Sequence, residues 1–386
     1  MTYQFNAPQT IIHGAGASRE LLAQLIRIGG RRVFFVTDSF LEQTGLVQAL
    51  AEPLRRAGLA VAVFSGVQPD PTVQNVLDGL SELIDHKADV VVAVGGGSPI
   101  DAAKAMAIMR TNEAPLHQYM GYHKIPNAGL PLVAIPTTAG TGSEATKVTV
   151  ITDTGHNVKM MIFDAHLMPT VALIDYELSL SMPPALTAHV GVDTLTHGME
   201  AYVSRKANAL SDPLALSCIS LVAKHLHTAW LKPTDREARG GMALAACLGG
   251  MSFTNSSVCL VHGMSRPLGL QFHLPHGLSN AVLLPAVTRF SVSGAPERYA
   301  AIARTMALAQ VDTSDEAACE GLLLELERQN QALKIPRLRD CPGVEKAVFE
   351  QALEKMASDA LASGSPQNNP IIPTADEIVA LYQQAW

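Results

Sequence analysis

One segment constrains the fold more than any other: Val90-Val-Val-Ala-Val-Gly-Gly-Gly-Ser-Pro-Ile-Asp-Ala-Ala-Lys104. Its first half is apolar without alternation, the pattern of a strand buried on both faces, and such strands belong to parallel sheets covered by helices. Its second half opens a helix at once, with Pro99 in the first turn. Glycines at 95–97 let backbone N–H groups approach an anion closely, and a helix start adds unpaired N–H groups and a positive dipole end. Ser98 can cap that helix or donate to a phosphate oxygen. The segment matches neither GxGxxG nor a Walker A sequence. It fits a plain strand-to-helix turn as well as a phosphate cradle.

Similar apolar runs at 32–38, 60–64 and 131–135 predict further strands, with amphipathic helices at 44–57 and 72–86 between them. Residues 148–152 and 158–163 flank Asp153-Thr-Gly155 and predict a hairpin. Beyond Ser181 strand-like runs vanish. Ser211 reads as a cap ahead of Pro213, Thr313–Glu316 and Thr374–Glu377 read as capping boxes, and 298–309 and 344–361 carry helical periodicity. The expectation is an α/β domain over 1–180 and an all-helical domain over 181–386, with a ligand cleft between them.

Composition narrows the function. Lys plus Arg is 28 and Asp plus Glu is 35, so the net charge is −7 with no basic tract, which argues against nucleic-acid binding. Hydrophobic residues at 48% against 16% charged supply a large core. The 5 cysteines form no CxxC pair and their number is odd, so a disulfide scaffold or thiolate zinc finger is not expected. Any metal must then rely on the 13 histidines. The first residues show no basic segment leading into an apolar one, and no run of about 20 apolar residues is evident. The reading is a cytoplasmic chain without a membrane partner.

A second loop, Ile135-Pro-Thr-Thr-Ala-Gly-Thr-Gly-Ser-Glu144, also follows a strand and is crowded with hydroxyls suited to a pyrophosphate or ribose, or to a serine/threonine turn. Asp38, at the end of another strand, suits a ribose 2′-hydroxyl and would repel a 2′-phosphate; it also suits a helix cap. In the second half, Asp193 and His197 sit at i and i+4, and His262 and His276 each precede a glycine. One carboxylate and three imidazoles make a ligand set for Zn²⁺ or Fe²⁺. Each histidine also fits an ordinary core or surface position, and His189 and Glu200 are rival ligands nearby.

Gly95-Gly-Gly-Ser-Pro-Ile-Asp-Ala-Ala-Lys104, Pro136-Thr-Thr-Ala-Gly-Thr-Gly-Ser-Glu144, Gly191-Val-Asp-Thr-Leu-Thr-His-Gly-Met-Glu-Ala-Tyr202 and His262-Gly-Met264 with Pro275-His-Gly277 resemble, in that order, the iron-containing (group III) alcohol dehydrogenases. The resemblance runs from Phe5 to the Asn369-Pro370 segment. It implies a modified Rossmann-type parallel sheet followed by an all-α domain, the dehydroquinate synthase-like architecture, in a homodimer or higher homo-oligomer. It assigns NAD contacts to Asp38, Gly96, Gly97, Ser98, Asp101, Thr137, Thr138, Thr141, Thr146, Lys159 and Leu178. It assigns the metal, commonly Fe²⁺ with Zn²⁺ also found, to Asp193, His197, His262 and His276.

The implied activity is an NAD- and divalent-metal-dependent alcohol dehydrogenase or aldehyde reductase, with hydride passing between nicotinamide and a metal-held alcohol or carbonyl. Two positions depart from the family: Arg266 replaces a histidine often linked to proton transfer, and Ile371 replaces a basic residue. His273 is the expected substitute proton shuttle, and Arg266 suits an acidic or phosphorylated substrate. Lys147, Phe253 and the stretch from Met356 to Ser363 are candidate pocket walls. The rivals are a lyase of dehydroquinate synthase type, a reductase of a more specialised acidic substrate, a metallohydrolase and a non-catalytic nucleotide-binding protein. The lyase needs a Lys/Arg/Asn set around a phosphorylated sugar acid that the sequence does not display.

Overall fold

The computed structural model describes residues 2–113, 115–156 and 158–386. The chain divides into two compact units, residues 6–180 and residues 181–386 together with 2–5.

Among the described residues the first unit holds nine strands: β1 Thr10–His13, β2 Arg32–Val36, β3 Ala60–Phe64, β4 Val90–Gly95, β5 Gly121–Tyr122, β6 Leu132–Pro136, β7 Val148–Asp153, β8 Val158–Phe163 and β9 Val171–Ile174. Six of them form a sheet in the order β1-β9-β6-β4-β2-β3, every pair parallel. Its helices are α1 Leu21–Arg27, α2 Ser39–Gln43, α3 Leu46–Arg56, α4 Val73–Asp85 and α5 Gly97–Met109. The unalternated apolar runs are explained by what covers them. Phe34, Val36, Val91 and Ala93 join one core with α4 and α5, while Val33, Phe35, Val90 and Val92 join another with α1 and α3. Both phenylalanines are fully buried, which stabilises the sheet by about 1.5–3 kcal/mol each.

The expected strands and helices appear within a few residues of their predicted ends. The hairpin forms with Val148 opposite Phe163, and β5 adds a third, parallel strand that periodicity does not reveal because it is only two residues long. The edge pair β1 and β9 is likewise short and lacks a distinctive run.

The second unit contains α6 Pro184–Val203, α7 Asp212–Leu231, α8 Arg236–Asn255, α9 Leu260–Phe272, α10 His276–Ser291, α11 Pro296–Thr305, α12 Asp315–Ala332, α13 Lys346–Ala362 and α14 Ala375–Ala385. Helix α6 is buried around nearly its whole circumference from Gly191 to Ala201 and packs against α7, α8 and α10. Its buried polar residues, Asp193, His197 and Glu200 among them, therefore have to find partners inside the unit.

Some local expectations change. Helix α7 does reach the length and mean hydropathy of a membrane span, although it carries Asp212 and Lys224 and packs one face against α6 and α8. Ser211 does not cap α7 with its side chain: its hydroxyl donates to the Asn208 carbonyl at 3.1 Å. Ser314, not Thr313, caps α12, because Thr313 is turned to accept from the Gln310 N–H. The box at Thr374 and Glu377 forms as expected. Thr72 and Asn75 make a further box at the start of α4, with asparagine in the place usually given to Glu or Gln.

Candidate active site

The chain crosses from β2 outward to β3 and returns through α4 to β4 on the other side of β2. Strand order therefore reverses between β2 and β4, and ligands of such sheets bind beyond the strand ends at that reversal. Asp38 follows β2 there, Gly95 ends β4 and Gly96–Ser98 follow it. Gly95 pairs with Pro136 in register, so the loop after β6 lies beside the glycines. A Cβ at Gly96 would stand 3.3 Å from Thr138 Oγ1, and one at Gly97 would stand 3.0 Å from Thr141 Cγ2. Gly95 holds φ at +150° with Pro99 too close for any side chain, which is why the turn uses glycine.

Helix α5 starts at Gly97 with Gly96 at its cap position, so Ser98 lies inside the first turn and does not cap it. Asp38 caps α2, accepting from the Leu41 N–H at 2.8 Å. Asp101 accepts from the Ser143 hydroxyl at 2.6 Å and from the Val150 N–H at 2.9 Å. Lys159 pairs with Asp70 at 2.8 Å, Thr137 and Thr146 are buried, and Leu178 packs on the α1/α3 side of the sheet.

Sequence reasoning missed what joins the two loops. Lys104 is buried, and its ammonium donates to Ser143 Oγ at 3.0 Å, Thr146 Oγ1 at 2.9 Å and the Val148 carbonyl at 2.8 Å. Burial pushes Lys104 down to about 8 against the pull of Asp101 and Glu144. Burial likewise pushes the Glu144 carboxyl up to about 7. The signal was available: Lys104 stands three residues after Asp101, on the same helix face.

In the helical unit α6 supplies Asp193 and His197, the third residue of α9 is His262, and α10 begins at His276. Asp193 Oδ1 lies 3.8 Å from His197 Nε2, 3.6 Å from His262 Nε2 and 3.9 Å from His276 Nε2. Donor atoms of Asp193, His262 and His276 thus lie within 4.8 Å of one another, and His197 Nε2 faces the same Asp193 oxygen from one turn along α6. His189 is not among the donors that gather there. Glu200 stands behind His262: its Oε2 is 2.7 Å from Nδ1, and it also accepts from the Cys259 and Val261 N–H groups that open α9. A carboxylate there keeps a proton on Nδ1 and leaves the Nε2 lone pair facing the cluster. Phe253 stacks on the His197 ring at 4.5 Å.

Each of the three histidines is followed by a glycine, and each glycine lies against a neighbour. A Cβ at Gly198 would meet Ile219 at 2.9 Å, one at Gly263 would meet Pro366 at 2.8 Å, and one at Gly277 would meet the His189 carbonyl at 2.7 Å. These contacts seat the helices closely and so fix which way the histidines face.

The donor set fits a divalent cation. Asn280, one turn after His276, puts its amide nitrogen 2.6 Å from Asp193 Oδ1, 3.1 Å from His262 Nε2 and 3.2 Å from His276 Nε2. Three acceptors thus surround one N–H donor group, while the Asn280 carbonyl oxygen is buried with no hydrogen-bond partner. Burial opposes the charged form of Asp193, but His197, His276 and His262 outweigh it and hold the carboxyl well below the usual range. Burial lowers the His276 imidazole, with Asp193 opposing and His262, His197 and Arg266 assisting. An ionised carboxylate and a neutral imidazole are the forms a metal binds.

Among the remaining predicted residues, His273 ends α9 in the left-handed conformation (φ 54°) and is exposed. Among the described residues its side chain has no hydrogen bond to the cluster. Arg266 lies one turn after His262 on α9 and donates to Ser365 Oγ at 2.8 Å. Ile371 packs beside Gly294. Met356 is buried on α13, which packs against α9. Lys147, in the α/β unit, donates to the Asn6 side-chain oxygen at 3.0 Å.

Residues 8–176 match the family model for iron-containing alcohol dehydrogenase, and residues 187–386 match the C-terminal model of that family. The chain is 37% identical to an NAD-dependent methanol dehydrogenase of Bacillus methanolicus, covering 100% of both. It is 39% identical to the lactaldehyde reductase of Escherichia coli K12, covering 98% of both. A crystal structure of 1,3-propanediol oxidoreductase superposes with a TM-score of 0.96 at 37% identity, covering 100% of both chains. The protein belongs to the iron-containing alcohol dehydrogenase family.

Proposed function

We infer that this chain is an NAD-dependent, divalent-metal-dependent oxidoreductase that interconverts small alcohols with aldehydes or ketones. The observation that carries the reading is the gathering of Asp193, His262 and His276 donors within 4.8 Å, with His197 Nε2 3.8 Å from the same Asp193 oxygen and a carboxylate that orients one of the rings. These four are the proposed ligands, for Fe²⁺ first and Zn²⁺ as an alternative. When bound, the ion supplies a Lewis acid for the substrate oxygen.

The chain's own residues do the rest. Glu200 holds the His262 ring in one tautomer, and Phe253 holds the His197 ring in one plane. Dinucleotide binding is proposed for Asp38, Gly96, Gly97, Ser98, Asp101, Thr137, Thr138, Thr141, Thr146, Lys159 and Leu178. The amides of Gly97 and Ser98 at the start of α5 would take the pyrophosphate, with Thr138 and Thr141 hydroxyls beside them. Asp38 keeps one carboxylate oxygen for a ribose hydroxyl while the other caps α2. His273 is the proposed proton carrier.

We place the protein in the cytoplasm, a reading supported by five buried free thiols. The homodimer or higher homo-oligomer is carried over from the family resemblance. Light scattering tests it, and a monomer would overturn it.

The test of the main reading is anaerobic purification with metal analysis, then a screen of alcohols with NAD and aldehydes with NADH. Net NADH formation that disappears on chelation and returns with Fe²⁺ or Zn²⁺ is expected. Product formation without net change in NADH would favour the lyase, and no turnover after metal restoration would overturn the proposal.

A further inference from the structure

A second group of metal-type donors lies in the α/β unit and shares no residue with the Asp193 cluster. Asp153 ends β7 and is 8% exposed. Its Oδ1 accepts from the N–H groups of Gly155 at 3.0 Å and His156 at 3.2 Å, so the hairpin turn fixes the carboxylate. Its Oδ2 lies 2.7 Å from His156 Nδ1. The strand beneath is itself held: the Thr152 N–H donates to the Pro71 carbonyl at 2.8 Å.

The third donor arrives from another part of the chain. His117 lies in the short 3-10 turn Leu116–Tyr119, anchored by buried Leu116 and Tyr119, whose hydroxyl donates to the Glu113 carbonyl at 2.7 Å. The His117 and His156 rings meet edge to face with centroids 5.3 Å apart. One donor atom from each of His117, Asp153 and His156 lies within 4.8 Å of the others.

We propose that His117, Asp153 and His156 form a second divalent-cation site that clips the 3-10 turn to the β7–β8 hairpin. Two imidazoles and one carboxylate select a borderline transition ion such as Zn²⁺, Ni²⁺ or Cu²⁺ over Mg²⁺ or Ca²⁺. Metal–ligand bonds of about 2.0–2.2 Å bring tetrahedral donors to roughly 3.3 Å from one another. The exposed rings of His117 and His156 have room to turn that far, while Asp153 stays fixed. Water completes the coordination, so the site is open to solvent and its occupancy follows the free metal concentration.

The experiment uses the full-length chain stripped with a chelator and dialysed against micromolar free Zn²⁺. Wild type is expected to take up two Zn²⁺ per chain, and His117→Ala and His156→Ala each one. In a Asp193→Ala/His276→Ala background, Cu²⁺ should give an electron paramagnetic resonance spectrum with two nitrogens coupled, and His117→Ala should remove one of them. His117→Ala keeps its circular dichroism and its NAD-dependent turnover, which separates loss of this site from loss of fold. A wild-type chain that binds a single Zn²⁺, or variants that still bind two, would overturn the proposal.

Discussion

Glu200 and His262 meet at 2.7 Å, carboxylate Oε2 against imidazole Nδ1, while the opposite nitrogen of the same ring faces Asp193 at 3.6 Å. One acid residue thus fixes both the tautomer and the aim of a proposed ligand, and it also satisfies two N–H groups at the start of α9. Removing that partner costs typically 10–100-fold in metal affinity at sites of this kind. Glu200→Gln should weaken metal binding by about that factor in chelator competition, with a smaller loss than Glu200→Ala. Equal affinity in all three proteins would remove the orienting role.

Gly277→Ala tests the close seating of α10 on α6. The added methyl would stand 2.7 Å from the His189 carbonyl, and backbone on both sides cannot yield cheaply. We expect a loss of about 1–3 kcal/mol in denaturant unfolding, together with weaker metal binding through displacement of His276. Unchanged stability would show that α10 can shift freely.

Lys104→Met removes the ammonium that ties α5 to Ser143, Thr146 and Val148 while keeping the apolar stem. The dissociation constant for NADH, read by fluorescence titration, should rise about tenfold or more, because the hydroxyl loop is no longer pre-positioned. Turnover at saturating NADH should change little. A folded variant with wild-type NADH affinity would contradict this.

Glu144 links folding to pH. Burial raises its carboxyl to about 7, from an ordinary value of 4.5, so the folded chain retains a proton there that the unfolded chain has released. The stability this group contributes is present below about 4.5 and is lost as pH rises through about 7. Glu144→Gln lacks that titration. Relative to wild type it should gain on the order of 1–3 kcal/mol between about pH 5 and pH 8. Parallel stability curves over that range would refute the assignment.

His273→Asn tests the proton carrier without disturbing the backbone, since asparagine tolerates the left-handed conformation found there (φ 54°). If His273 carries the proton, kcat should fall at least about tenfold and added imidazole should restore part of the loss. An unchanged kcat would transfer the role elsewhere.

Much of this molecule is readable locally. Unalternated apolar runs at β2, β4 and β6 already demand a parallel sheet, because only helices on both faces can bury them. The glycine-rich turn after β4 announces itself because strand, turn and helix start are contiguous. Asp193 and His197 are legible as a pair since four residues bring side chains to one helix face.

What tertiary structure alone decided is which distant groups meet. Glu200 looked like a rival ligand in sequence and became the partner of His262, 62 residues away. Asn280 gave no sign of its contacts, and the spacing of Lys104 from Asp101 did not name its partners, because hydrogen bonds between helices, or between a helix and a loop, depend on how each element is rotated and seated. The glycines after His197, His262 and His276 make the same point. Sequence displays them as a recurrent His-Gly pair, and only packing shows that a methyl group at any of the three would crowd a neighbouring element. Periodicity is set within one element by backbone geometry, whereas convergence is set between elements by close packing.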